Sequence, residues 1–143
     1  GVRSIIRIMA TVRIALRVSS TDVLSTALDV SVASNLLADS GSLIKAKVKG
    51  TAADTNDLVI YKANDKVESA YVYIRNLEAR KEDYIFVRNE TESNTAAVAK
   101  IGGGEFAFIP VSPDQTYQCI ATKVDSVIEY GVFGLDNSSV SLA

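Results

Sequence analysis

Short runs of alternating apolar and polar residues follow one another along most of this chain, and this period of two constrains the fold more than any other feature. Because successive side chains of a strand point to opposite faces, such a run predicts a half-buried β-strand. In residues 43–49, for example, Ile44, Ala46 and Val48 alternate with three lysines. Similar runs lie at 27–33, 58–63, 70–76 and 84–89. The pattern predicts an all-β protein.

One of these runs is open to a second interpretation. Residues 27–33 place their apolar side chains on one face of an extended chain, which favours a strand. The preceding segment Ser20-Thr21-Asp22 consists of residue types that cap helices, so a short helix is the alternative. We expect the strand.

Turn signals separate the runs in the C-terminal half. Gly102-Gly103-Gly104 lies between the runs 98–101 and 105–109, and a β-hairpin is predicted there because glycine adopts positive φ angles easily. A second hairpin is predicted from the runs 117–122 and 127–133. Together the signals predict eight or nine short strands in an antiparallel β-sandwich of jelly-roll or immunoglobulin-like type.

The length of 143 residues suits one compact core. Ahead of it, an alternation from Ile6 to Val18 predicts a long first strand or an extended arm. We therefore divide the chain into an N-terminal strand or arm at 1–18 and a single β-sandwich domain at 19–143. The segment Met9-Ala10-Thr11 resembles a second start of translation, which leaves the place of residues 1–8 in the mature protein open.

Charge is distributed unevenly along the chain, whose formal net charge is -2. The first 20 residues contain four arginines and no acidic residue, whereas the remainder is acidic. This basic segment is too small for a nucleic-acid face, so no nucleic-acid partner is predicted. The lysines at 43–49 either protect a sheet edge or contact an acidic neighbour. The predicted interface residues are Arg7, Arg13, Arg17, Lys45, Lys47 and Lys49.

The side chains that most catalytic and metal sites need are scarce. The chain has no histidine and a single cysteine, Cys119, which its neighbours place on a buried strand face. Without histidine there is no Ser-His-Asp or Cys-His arrangement. Ser42 and Lys45 match the S-x-x-K spacing of penicillin-interacting enzymes, but on a strand they point to opposite faces. We predict a protein that is not an enzyme and binds no metal or cofactor.

Membrane and secretion signals are absent from this sequence. No apolar run approaches the ~20 residues that a membrane-spanning helix needs, and no secretory signal precedes the first strand. We therefore expect no membrane partner and synthesis in a reducing cytoplasm.

Three segments of the chain carry a resemblance. Ala70–Asn76 reads AYVYIRN, Ile101–Pro110 reads IGGGEFAFIP and Ile128–Gly134 reads IEYGVFG. In this order they resemble small all-β virion proteins of tailed bacteriophages, particularly marine and cyanobacterial phages, over about residues 58–136. The resemblance implies a structural role in the virion, first as a decoration or cement protein of the head shell and otherwise as a tail or fibre-adaptor component.

The same resemblance implies partners and a location. A decoration protein binds the major capsid protein or other virion proteins, and it often pairs with further copies of itself. The expected location is the virion, after synthesis in the cytoplasm of the host.

A glycan-binding or receptor-binding module is the alternative function. Aromatic side chains exposed on a sheet stack against sugars, and Tyr61, Tyr71, Tyr73 and Tyr130 are the candidates for such a platform.

Overall fold

The computed structural model describes residues 10–49, 58–89 and 97–136. These residues contain ten β-strands and no helix, which confirms the all-β prediction. The chain divides into two compact units, residues 1–39 and residues 40–143. Arg7 and the question of residues 1–8 lie outside the described residues.

The first unit contains one antiparallel hairpin of two long strands. Strand β1 (Ala10–Ser20) pairs with β2 (Leu28–Ala38) without a shift of register, from Ala10 opposite Ala38 to Ser20 opposite Leu28. The strand interpretation of residues 27–33 is thereby confirmed over the helix. The boundary expected after residue 18 falls inside β1, where Val18 pairs with Val30.

The turn of this hairpin is closed by a serine. The hydroxyl oxygen of Ser20 accepts hydrogen bonds from the backbone amides of Asp22 and Val23 at 3.3 and 3.1 Å. Such local bonds offer the backbone an alternative to a helix, so residues suited to a helix cap here form a turn.

The second unit is a sandwich of two four-stranded sheets. One sheet has the order β3-β10-β5-β8 and the other β4-β9-β6-β7, with all neighbours antiparallel. The strands are β3 (Ser40–Val48), β4 (Leu58–Tyr61), β5 (Val67–Asn76), β6 (Ile85–Asn89), β7 (Ala99–Ile101), β8 (Phe106–Val111), β9 (Tyr117–Ala121) and β10 (Ser126–Asp136).

The strand order is that of a jelly roll. Four pairs, β3 with β10, β4 with β9, β5 with β8 and β6 with β7, are nested in the sequence as in one long ribbon folded back on itself. Rolling that ribbon up brings β10 beside β5 and β9 beside β6, which completes the two sheets. The β-sandwich prediction is confirmed, and of the two predicted types the jelly roll is observed.

Both predicted hairpins are wrong, although the turns are present. Strands β7 and β8 flank the glycine turn but belong to different sheets, and so do β9 and β10. In a jelly roll most connections cross from one sheet to the other, and among the described strands of this unit only β6 and β7 are consecutive and paired with each other. A turn signal shows that the chain reverses, but it does not show which sheet receives the next strand.

The core lies between the inner faces of the two sheets. Val72, Ile74 and Ile128 from one sheet meet Ile85 and Val87 from the other, and each is at most 2% exposed. The Cys119 side chain is fully buried among them, which confirms the prediction of a small buried side chain.

A buried asparagine holds one corner of the sandwich. The Asn76 side-chain amide donates to the carbonyl oxygens of Asp83 and Ile101 at 2.7 and 2.9 Å, and its side-chain oxygen accepts from the Glu78 amide at 3.0 Å. Asn76 is fully buried, so these bonds compensate for the water that its polar atoms lose. They tie the end of β5 to β7 and to the segment before β6.

The glycine turn packs against the same corner. A Cβ atom on Gly103 would lie 2.1 Å from the Arg80 carbonyl oxygen, and Gly104 has a φ of 81°, so neither position accepts a larger residue without strain. The amides of Gly102, Gly103 and Gly104 donate to Glu105, Lys81 and Asn76 respectively. Because these amides already donate hydrogen bonds within the chain, they are not available to bind a phosphate group. The turn therefore has a structural role.

Glu78 joins this corner to the start of the last strand. Its two carboxylate oxygens accept hydrogen bonds from the Lys123 ammonium at 2.6 Å and from the Val127 amide at 2.8 Å, and its side chain is 11% exposed. The bond from Lys123 and then the bond from Val127 lower the pKa of Glu78 below its usual 4.5. The carboxylate therefore stabilises the fold only while it is ionised.

We predict that Glu78→Gln lowers the free energy of unfolding at pH 7 by roughly 1–2 kcal/mol, since it weakens a charge-assisted bond at a shielded site. A lowered pKa in the folded state gives stability that is present above the unfolded pKa and is lost as the pH falls through the folded pKa. The difference between wild type and variant should therefore shrink below pH ~4.5. Urea unfolding at a series of pH values measures it.

Glu82→Gln is the matched control for this experiment. Glu82 also accepts from a cation, Arg80 at 2.7 Å, and its pKa is also lowered, but the two side chains are 61% and 70% exposed. Solvent screening leaves such a pair little weight, so the control should track the wild type. Equal losses in both variants would contradict the role assigned to Glu78.

Candidate functional site

Five aromatic side chains lie on the outer face of the sheet β3-β10-β5-β8. The antiparallel register puts Phe133 opposite Tyr71 and puts Tyr73 opposite Phe108, while the alternate residues of each strand face the core. We call this surface the aromatic face, formed by Tyr71, Tyr73, Phe106, Phe108 and Phe133. It spans the three neighbouring strands β8, β5 and β10.

Three of these rings form a near-parallel row. The ring centroids of Tyr71 and Phe108 are 5.9 Å apart with planes inclined by 20°, and those of Phe108 and Phe133 are 6.5 Å apart at 26°. Each such pair contributes about 0.5–1.5 kcal/mol beyond the area it buries. The three rings are half-buried, whereas Phe106 at the end of the face is 61% exposed. The row is therefore held in place and still reaches solvent.

Two glycines make room for one of the rings. A Cβ atom on Gly41 would lie 3.1 Å from the Phe133 ring, and one on Gly131 would lie 3.4 Å from it. The same atom on Gly131 would also lie 2.6 Å from the Ser42 carbonyl oxygen of the adjacent strand. The Phe133 ring thus covers backbone that has no side chains of its own, as aromatic residues do beside glycines in sheets.

Charged residues border the aromatic face on one side. Lys45, Glu129 and Arg75 occupy one row across β3, β10 and β5, next to the row that contains Tyr73. The Tyr73 hydroxyl donates to the Glu129 carboxylate at 3.1 Å. Burial and then this bond raise the pKa of Tyr73 above 10.0, so its hydroxyl remains a donor at neutral pH.

The structure brings together only half of the predicted tyrosine platform. Tyr71 and Tyr73 lie side by side on the aromatic face, as expected. Tyr61 is 8% exposed, with its hydroxyl donating to the Pro113 carbonyl at 2.9 Å, and Tyr130 packs against the core. The platform prediction is wrong for Tyr61 and Tyr130, because each lies at a strand position that faces inward.

The phenylalanines of the aromatic face were missed at the sequence level. The signal was available, since Phe106 and Phe108 alternate with core residues along β8 and Phe133 follows the same phase along β10. An alternating run shows two faces but does not show which one is buried when both are apolar.

The predicted lysines lie on the outermost strand of the same sheet. Among the residues that the structure describes, β3 pairs with β10 alone and its other edge makes no strand pairing. Lys45 and Lys47 are exposed on the outer face of β3, and Lys49 is exposed just after its end. This is where lysines hinder edge-to-edge pairing, and it is also where they would meet an acidic neighbour. Their interface role stays a prediction.

The predicted arginines of the hairpin share one face. Arg13 and Arg17 lie on the same side of β1, opposite Asn35 and Ser31. The Arg17 guanidinium lies 3.4 Å from the Asp29 carboxylate, with side chains 71% and 64% exposed. An exposed pair of this kind contributes little to stability, so both arginines remain available to an acidic partner. Their interface role also stays a prediction.

The other side of the hairpin is almost wholly aliphatic. Directly opposite residues of an antiparallel pair share a face. We call this surface the apolar face of the hairpin. It consists of Ala10, Val12, Ile14, Leu16, Val18 and Ser20 on β1 and of Leu28, Val30, Val32, Ser34, Leu36 and Ala38 on β2. Among them Leu16, Val18, Val30 and Val32 are between 42% and 53% exposed.

Neither the S-x-x-K pair nor a cluster of metal ligands forms a site in the part of the chain that the structure describes. Ser42 and Lys45 lie on strand β3, three positions apart and on opposite faces, as expected. Within residues 10–49, 58–89 and 97–136, no three His, Cys, Asp or Glu side chains come together to hold a metal ion. In the same residues no helix is long and apolar enough to cross a membrane.

Comparisons with protein-family models, with curated proteins and with solved structures find no match for this chain. A function for this chain is therefore inferred from the geometry of the two surfaces.

We predict that Gly131→Ala destabilises the sandwich by about 1–3 kcal/mol, because the added methyl group meets the Ser42 carbonyl and must push β10 away from β3. Gly41→Ala is the matched variant, since its methyl group meets only the Phe133 ring, which can shift by a few tenths of an ångström. It should change the free energy of unfolding by about 0.5 kcal/mol or less. Urea unfolding compares the two, and equal losses would contradict the strand spacing described for the aromatic face.

Proposed function

We propose that this chain is a non-enzymatic structural protein of a tailed-phage virion, which binds and stabilises the head shell as a decoration or cement protein. The alternative within this proposal is that the chain is a tail or fibre-adaptor component of the same particle. Its partners are the major capsid protein or other virion proteins and further copies of the chain. It is made in the host cytoplasm and resides in the virion.

The apolar face of the hairpin is the observation that carries this proposal. Two strands form no core of their own, and an isolated hairpin is marginally stable in water. On the aliphatic side of this hairpin the central residues Leu16, Val18, Val30 and Val32 are exposed. A contiguous apolar surface of this kind is typical of a site that another protein covers. A protein that works as part of an assembly, with its hairpin covered there, accounts for such a surface.

The fold and the resemblance support the same proposal. Jelly rolls occur in viral capsid proteins, although they also occur in lectins and cupins, so this argument is one of analogy. The three segments that resemble phage virion proteins form the neighbouring strands β5, β8 and β10, with the glycine turn before β8. They supply all five residues of the aromatic face. The resemblance therefore concerns one continuous surface of the sandwich.

The positive charges suit a shell with an acidic exterior. Arg13 and Arg17 on the hairpin and Lys45, Lys47 and Lys49 at the edge of the sandwich are exposed. Charges at the rim of a contact raise association rates at low salt more than they raise affinity. Attachment through them would weaken as the ionic strength rises.

We predict that purified particles contain this chain in numbers comparable to the shell subunits, because a decoration protein occupies symmetry-related sites over the whole head. Quantitative mass spectrometry against the major capsid protein of the same particles measures the ratio. A handful of copies per particle would move the protein to the tail or fibre adaptor. Its absence from particles that retain every other virion protein would overturn the proposal.

The row of rings on the aromatic face favours one second candidate, a glycan-binding module. Sugars stack on exposed rings, and the Tyr73 hydroxyl with its charged neighbours supplies polar contacts beside them. Here the ligand would be a glycan at the host surface, bound across Tyr71, Phe108 and Phe133.

For this candidate we predict that Phe108→Ala lowers binding on a glycan array by at least about tenfold, since it removes the central ring of the row and more than about 1.4 kcal/mol of contact. Phe86→Ala is the matched control, because Phe86 is half-buried in the other sheet, 6.3 Å from Tyr84. It should bind as the wild type does. A wild-type protein that binds no glycan would remove this candidate.

A further inference from the structure

We propose that the apolar face of the hairpin is buried against the same face of a second copy of this chain. The contact is isologous, with each copy giving and receiving the same residues across a twofold axis. This inference rests on the proposed structural function and deepens it, since it names one partner and the surface that binds it.

The apolar face has the composition of a buried core surface, although its central residues are exposed in the single chain. Ten of its twelve residues are aliphatic, the other two are Ser20 and Ser34, and none is charged. Burying an exposed aliphatic side chain contributes about 1.5–3 kcal/mol. The central residues Leu16, Val18, Val30 and Val32 retain roughly half of their exposure in the single chain. A layer that covers all four side chains would therefore stabilise the hairpin by more than the burial of any one of them does.

The distribution of charge favours a second copy as that layer. A face with no charged residue meets its own copy without repulsion. The charged residues Arg13, Arg17 and Asp29 all lie on the opposite face, where they stay in water after the two apolar faces meet. A partner selected by charge complementarity needs charged residues on the surface that it binds, and the apolar face has no charged residue.

The dimensions of the face also suit a contact between copies. Strands of 11 residues at about 3.4 Å per residue, two strands wide at about 4.8 Å, give a flat area of about 360 Å² for each copy. Two such areas, increased by the relief of the side chains, approach the lower end of the ~1,200–2,000 Å² of a standard specific interface. Two ribbons stacked about 10 Å apart would form a small two-layer sandwich.

Sedimentation equilibrium of the full chain tests the proposal. We expect the wild type to have the mass of a dimer at micromolar concentrations. Leu16→Asp/Val32→Asp places two charges on a directly opposed pair in the middle of the face, and it should weaken self-association at least 100-fold. Leu16→Ala/Val32→Ala removes volume without adding charge, and it should weaken the dimer by about tenfold.

Ser31→Asp/Asn35→Asp is the matched control, with the same two charges added to the polar face opposite Arg17 and Arg13. It should sediment as the wild type does. Urea unfolding of each variant, followed by near-ultraviolet circular dichroism, establishes that the jelly roll is intact, so a loss of mass reports the contact and not misfolding. A control that dissociates as readily as the apolar-face variant would overturn the proposal.

A wild type that is monomeric up to about 100 µM would also overturn it. If that monomer decorates undecorated heads and Leu16→Asp/Val32→Asp does not, the face is covered by a shell protein and the proposed structural function stands. If the chain is instead a dimer through this face but is absent from virions, the contact stands and the proposed function fails.

Discussion

The last described strand joins the beginning of the sandwich unit to its middle, because it is hydrogen-bonded to β3 on one edge and to β5 on the other. Strand β10 pairs with β3 along one side and with β5 along the other, so strands from the beginning and the middle of the unit depend on its position. Its inward residues include Ile128, which is fully buried, and its outward residues include Gly131 and Phe133 of the outer surface. This one strand therefore contributes to the strand order of the jelly roll, to the core and to the surface beneath the rings of the aromatic face.

The alternation in the sequence predicted the strands well, and it predicted their partners poorly. Along β5 the structure places Val72 and Ile74 on one face and Tyr71 and Tyr73 on the other, as the alternation predicts, since a period of two depends only on local geometry. The pairing of β3 with β10 joins residues that are far apart in the sequence, from Val48 with Ser126 to Ser40 with Gly134, and no local signal records it. The same limit explains both wrong hairpins and the inclusion of Tyr61 and Tyr130 in the tyrosine platform.

The polar groups of the sandwich's corner are engaged in structure. Asn76 bonds two carbonyl groups and an amide, Glu78 joins a lysine and the start of β10, and the glycine turn donates its amides within the chain. Groups that are satisfied in this way hold loops in place, and they are poorly placed to attack or ionise a substrate. The exposed surfaces of the two units carry the side chains that are not engaged in this way.

The hairpin and the sandwich are built from strands with the same alternation of apolar and polar residues, but they differ in how the apolar side is covered. An alternating strand always produces one apolar side, and in the sandwich each sheet covers that side of the other. A two-stranded ribbon has no second layer of its own, and the exposed Arg17–Asp29 ion pair adds little that would compensate. Burial of the apolar face is therefore the main source of stability open to the hairpin. In the dimer that we propose, the contact that orders the strands of the ribbon is also the contact that joins the two molecules, so stability would depend on assembly.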